Sequence, residues 1–249
     1  MVKYIHEDDV HNLKAPAAIV PVLMELFSPS SVIDVGCGTG TFLRVFKDQG
    51  VQKITGLDGS WVNREKLMIG HDDFIETDLE KPVTLSQKYD LVICLEVVEH
   101  LAESSADIIV SSLVSLGDTI IFSAAFPGQG GQNHINEQPI SYWQQKFRAY
   151  GFEYYDVLRP KFWDNKDVNW WYKQNMFLVT KNPPANADAN MPGAGNHVQQ
   201  LVHPDVYLMY KDLYQNLKTK YETITAGKGK MKMYFGLLHK KVKAMLSSK

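Results

Sequence analysis

Residues 31–40 read SVIDVGCGTG, and the fold follows from how that stretch is parsed. Val32, Ile33 and Val35 make a short β-branched run, which favours a strand. Gly36, Gly38 and Gly40 follow it at every second position, and Thr41 opens an amphipathic segment with helical spacing. The stretch is therefore strand, tight loop, helix. Glycines in such a loop let the backbone approach a ligand closely, and the start of the helix offers N–H groups with no partner of their own.

The same alternation extends outward. Upstream, residues 15–27 have helical spacing that Pro29 brings to an end. Downstream, strands are predicted at 53–57, 74–76, 89–95 and 119–123. Helices are predicted at 41–48, 62–69, 102–115 and 142–150. Continuously apolar strands such as YDLVICL, separated by amphipathic helices, indicate a parallel sheet covered on both faces. After Gly151, FEYYDVL and NMFLVTK suggest an antiparallel pair. The aromatic stretch between them is either a cap over the sheet or a wall of an acceptor pocket.

The glycines are spaced wrongly for a dinucleotide: a G-x-G-x-x-G fingerprint needs its third glycine at 41, where Thr41 stands. Asp34 precedes the loop, and a carboxylate there suits a cationic ligand better than a pyrophosphate. S-adenosylmethionine has that charge. ITGLDGS ends the second strand with Asp58 and Gly59, where a carboxylate can accept both ribose hydroxyls. ETDL supplies Asp78 and Leu79 after the third, where an adenine amino group can be met. Each acid alone could be a helix cap; three in register after consecutive strands point to one ligand.

These motifs, with YDLVICLEVVEHL, resemble those of class I S-adenosylmethionine-dependent methyltransferases over about residues 31–180. The resemblance implies a Rossmann-like, doubly wound α/β fold with seven strands, helices on both faces and the last strand antiparallel. It also implies a cofactor site made by Asp34, Gly36, Gly38, Gly40, Asp58, Gly59, Asp78, Leu79 and Glu96. The expected organisation is a cofactor-binding domain at 1–181, a linker at 182–196 with the composition NPPANADANMPGAGN, and a C-terminal helical extension at 197–249.

A second constellation lies further along. Glu96, Glu99 and His100 in LEVVEHL would share a face if the chain turned helical there, and His134 follows the next strand. Two carboxylates and two imidazoles can ligate a divalent ion, with Mg2+ or Mn2+ favoured by the oxygens. The set resembles the E-x-x-E-H plus distal histidine site of small-RNA 2′-O-methyltransferases and ubiquinone-pathway O-methyltransferases. The plainer reading is a capping acid and a histidine, His134 or His100, acting as general base. FPGQGGQNHINEQPISYW and RPKFWDNKDVNWWYKQN resemble methyltransferases associated with glycan synthesis, which implies a sugar hydroxyl as acceptor. Asn133, Glu137, Gln138, Trp163 and Trp170 are the candidate contacts, since amides, carboxylates and indole faces suit a hydroxyl-rich ring. A quinone or other small metabolite is the alternative acceptor, and a non-catalytic cofactor-binding subunit the remote one.

Composition narrows the rest. A net charge of −2 over 249 residues gives no general attraction for nucleic acid. Cys37 and Cys94 both sit in strand-like apolar stretches, so buried thiols are expected and no disulfide framework. The acidic start MVKYIHEDDV lacks a secretory pattern, which implies a cytoplasmic protein. Residues 227–249 are lysine-rich with interspersed apolar side chains. A solvated helix is the ordinary reading of such a segment, and weak contact with an anionic membrane or a partner enzyme is the other.

Overall fold

The computed structural model describes residue 4, residues 12–182 and residues 198–225. The chain divides into two compact units, Met1–Leu201 and Val202–Lys249. The first runs α1 (Lys14–Phe27), β1 (Ser31–Val35), α2 (Thr41–Asp48), β2 (Lys53–Asp58), β3 (Phe74–Glu76), β4 (Leu91–Leu95), α3 (Ala106–Leu116), β5 (Thr119–Ser123), α4 (Ile140–Arg148), β6 (Glu153–Tyr155), α5 (Arg159–Phe162), α6 (Trp170–Asn175) and β7 (Phe177–Thr180). In the second, the described residues form one helix, α7 (Pro204–Thr225).

The strands make a seven-stranded sheet in the order β3-β2-β1-β4-β5-β7-β6. β3 to β5 pair in parallel, while β7 runs antiparallel to both β5 and β6. The period of two along each strand divides the core into two layers. Ile33, Val35, Val92, Cys94, Ile120, Phe122 and Val179 face α3 and α4, packing on Ile109, Leu113, Trp143 and Phe147. Val32, Leu91, Ile93, Ile121 and Leu178 face α1, α2 and α5, packing on Ile19, Leu23, Leu43, Phe46 and Phe162. Both faces are dry, which is why the central strands read as unbroken apolar runs. Cys37 and Cys94 are free, buried thiols.

Differences from expectation are local. Residues 62–69 make a single 3-10 turn at Arg64–Lys66, not a helix. Met68 N–H donates to the Thr39 carbonyl in the glycine loop at 2.8 Å, and the Asn63 side chain caps Glu65 N–H. The first bond ties the segment to the glycine loop, and the second closes a local turn in place of a helical ladder. Of the expected linker, Asn182 alone is described; residues 198–201, expected in the extension, go with the first unit. The lysine-rich residues 227–249 lie outside the described residues. No helix among the described residues is long and apolar enough to cross a membrane.

Candidate active site

The parallel strands end along one edge of the sheet, and a cavity of about 360 Å³ opens there. Its floor is the glycine loop. Gly36 has φ +87° and Gly38 φ +55°, a backbone that side chains strain. A Cβ on Gly36 would also come within 2.4 Å of Val97 Cγ2. The loop is hooked onto β2, since the Gly36 and Cys37 N–H groups both donate to the Leu57 carbonyl.

Asp58, the last residue of β2, ties this arrangement together. Its Oδ2 accepts the Gly38 N–H at 2.7 Å and its Oδ1 the Gly59 N–H at 2.6 Å. Burial raises its pKa from 3.8 to about 6, against the hydrogen bonds from Gly38, Gly59 and Trp61 that favour the ionised form. Asp34 lies beside it, and burial together with repulsion from Asp58 pushes its carboxyl well up. The Trp61 indole lies on Gly59, where a Cβ would fall 2.1 Å from the ring.

Past the glycine loop, β4 ends in an abrupt turn. Glu96 takes a left-handed conformation, φ +54°, and the chain enters a 3-10 turn only at Val98–His100. The expected common face of 96, 99 and 100 does not form for that reason. The Glu96 carboxylate accepts from Gln129 Nε2 at 2.7 Å and from Asn175 Nδ2 at 3.3 Å, and its N–H donates to Ser123 Oγ. Asn175 also donates to Gln129 Oε1. Burial raises the Glu96 pKa in spite of these bonds.

Glu99 is wholly buried, and neither of its carboxylate oxygens has a partner in hydrogen-bond geometry among the described residues. Burial first, then repulsion from Glu96, holds its carboxyl well above the ordinary range. Its backbone carbonyl accepts from Ile135 and Asn136 N–H groups at 2.9 and 3.1 Å, which draws the 134 loop onto the β4 turn. Ligand atoms of Glu99, His100 and His134 consequently lie within 4.8 Å of one another. The His100 and His134 rings meet edge-on at 4.9 Å between centroids. Glu96 stands outside this cluster, so the expected four-residue set converges as three.

Of the remaining expected residues, Asn133 and Trp170 line the cavity, as do Trp171, Gln132 and Leu79. Asp78 does not: it is 44% exposed and paired with Lys81 at 3.0 Å, which lowers its pKa. Gly40 packs against Ile69, and Gly59 lies beneath Trp61. Glu137 is turned onto His134, with its Oε1 2.8 Å from Nδ1. Gln138 donates to Asn136 and lines a separate small cavity, and Trp163 is not part of the main cavity wall. Gln129, Asn175 and Trp61 were not anticipated. Gln129 and Asn175 meet across 46 residues of sequence, so no local pattern announces them. Trp61, three residues past Asp58, was open to notice as an aromatic beside a strand-end acid.

Residues 9–112 match the family model described as a methyltransferase domain. Ubiquinone biosynthesis O-methyltransferases are among the similar curated proteins. That of Stutzerimonas stutzeri is 28% identical over 141 residues, 52% of this chain and 53% of its own. That of Saccharophagus degradans is 30% identical over 138 residues, 52% of each. The chain thus spans about half the length of the curated relatives it matches. The crystal structure of Streptomyces venezuelae DesVI superposes with a TM-score of 0.50 at 14% identity, over 68% of this chain and 92% of that one, a likeness of fold. Over residues 9–112 the chain is thus similar to methyltransferase domains, and its seven-stranded sheet has the Rossmann-like fold seen in such enzymes.

Proposed function

We propose that the chain is an S-adenosylmethionine-dependent O-methyltransferase acting on a hydroxyl of a sugar in a glycan or glycan precursor. One observation carries the cofactor assignment: Asp34, Asp58, Glu96 and Glu99 all line the cavity, and no Lys or Arg lines it among the described residues. Such a lining disfavours a pyrophosphate and favours a cationic nucleoside. The glycine cradle and the strand-end carboxylate of Asp58 fit that molecule's amino-acid and ribose portions. The methyltransferase-domain match and the O-methyltransferase relatives support the reaction class.

When bound, S-adenosylmethionine supplies a methyl group already activated on sulfonium. The chain's task is to align an acceptor oxygen with it and to receive the acceptor's proton; alignment of this kind contributes about 7–11 kcal/mol. His134 or His100, both lining the same cavity as Asp58, takes that proton as the oxygen–carbon bond forms. Glu99, His100 and His134 also fit a divalent cation, because Glu99 is a buried carboxylate whose oxygens have no partner in hydrogen-bond geometry among the described residues and the three side chains bring ligand atoms within 4.8 Å of one another. One carboxylate and two imidazoles suit Mn2+, Fe2+ or Zn2+ better than Mg2+. Such an ion would lower the acceptor hydroxyl's pKa.

The sugar acceptor draws support from the cavity wall, where Gln132 and Asn133 set amides beside the indoles of Trp170 and Trp171. The likeness to O-methyltransferases of ubiquinone biosynthesis favours a second reading, a phenolic or quinone-type acceptor. Transfer of labelled methyl groups onto a panel of sugars, glycans and phenols, with and without EDTA, decides between them. Labelling of phenols alone rejects the sugar, and full activity in excess EDTA rejects the ion.

A further inference from the structure

We propose that Glu137 is a positioning residue that fixes His134 in the tautomer protonated on Nδ1, so that Nε2 is the nitrogen offered to the acceptor or to a cation. The inference rests on the proposed methyl transfer for what meets Nε2, whereas the tautomer stands on geometry alone.

His134 Nδ1 lies 2.8 Å from Glu137 Oε1, and both side chains are largely shielded, at 11% and 18% exposure. The carboxylate has two further donors: Gly130 N–H reaches Oε1 and Gly128 N–H reaches Oε2, each at 2.7 Å. Two backbone N–H groups and the imidazole edge thus converge on its two oxygens, the surroundings that favour an ionised carboxylate. An ionised carboxylate only accepts. The hydrogen between Nδ1 and Oε1 therefore belongs to the imidazole, and a neutral His134 carries its lone pair on Nε2.

The glycines of PGQGGQNH acquire a purpose from this. Gly128 and Gly130 have φ +88° and +69°, and among the described residues nothing beyond their chain neighbours lies within 4 Å of where their Cβ atoms would be. They are needed for conformation and not for space: the turn aims two N–H groups at one carboxylate, as backbone nests do for anions. Gly131 is needed for space. A Cβ there would fall 2.2 Å from His134 Nε2, 2.6 Å from Cε1 and 2.8 Å from Cδ2. The near equality of the last two distances, each well under an in-plane approach, sets the residue against the ring face and leaves the in-plane lone pair clear. The loop thus grips one imidazole by its Nδ1 edge and one face.

The test is nitrogen NMR of the full chain with 15N-labelled histidine, in EDTA, at about pH 8, above the ordinary imidazole pKa of about 6.5. The wild type is expected to show His134 protonated on Nδ1, and Glu137→Ala to shift it toward the Nε2-protonated form that free imidazole side chains prefer. Glu137→Gln, which keeps the size of the side chain, should lower kcat about 10–100-fold while leaving cofactor affinity unchanged. An Nε2-protonated His134 in the wild type overturns the proposal, as does a tautomer that Glu137→Ala leaves in place. Should the tautomer behave as expected while no acceptor is methylated, the proposed function fails and the positioning role stands.

Discussion

Asp58 does two jobs at once, and its protonation separates them. As an ionised group it holds the glycine loop through Gly38 and would accept ribose hydroxyls, but burial has raised its pKa from 3.8 to about 6. A carboxyl raised in this direction contributes stability that is fully present below its unfolded pKa and is lost as the pH rises through about 6. The rise corresponds to about 3 kcal/mol of cost to the folded state at neutral pH. Cofactor affinity should have the opposite slope, weakening as the pH falls through about 6. Asp58→Asn is expected to flatten both profiles: melting temperatures from pH 4 to 8 would gain on the wild type toward the alkaline end, and calorimetry would show weak, pH-independent cofactor binding. A wild-type affinity that is flat across that range counts against Asp58 as the ligand. Glu96 makes the complementary point. A carboxylate three residues before Glu99 looks like a partner for it on paper; a left-handed φ and two amide donors, one from a distant loop and one from α6, place it elsewhere.

At the scale of elements, the strands were the most legible part of the chain. Runs such as SVIDV and LVICL are buried on both faces, and a pattern that local has few other solutions. The glycine loop and Asp58 were legible too, because a strand end followed by closely spaced glycines is itself a local device. Residues 62–69 were not, since the bond that fixes their path runs from Met68 to Thr39 in the glycine loop, far away in sequence. Nor was the Glu96–Gln129–Asn175 network, whose members come from the end of β4, a loop and α6. The stretch between β6 and β7 turned out to serve both readings: Phe162 and Val168 are core, while Trp170 and Trp171 are cavity wall. The turn between β1 and α2 should tolerate no side chain at its first glycine. Gly36→Ala combines a positive φ with a Cβ 2.4 Å from Val97, so a loss of about 1–3 kcal/mol in denaturant unfolding is expected, with cofactor binding abolished. Wild-type stability in that variant would show that the loop relaxes freely.

Over the whole molecule, charge is distributed to a purpose that the net value hides. A formal −2 spread over 249 residues is unremarkable, yet four buried or part-buried carboxylates meet in one cavity. Among the described residues, those lining that cavity all belong to the unit Met1–Leu201. A chain ending at Leu201 is therefore expected to bind cofactor with unchanged affinity; a tenfold loss on calorimetric titration would mean that the second unit takes part. The central claim is that the glycine loop and Asp58 form a site for S-adenosylmethionine, and calorimetric titration of that molecule into the wild type and Asp58→Ala tests it most directly. With about 1.5–3 kcal/mol at stake for each hydrogen bond to a charged group, the account predicts saturable binding to the wild type and at least about a tenfold weaker binding to a variant that remains folded. Equal affinity in the two proteins, or no binding to the wild type, would contradict it.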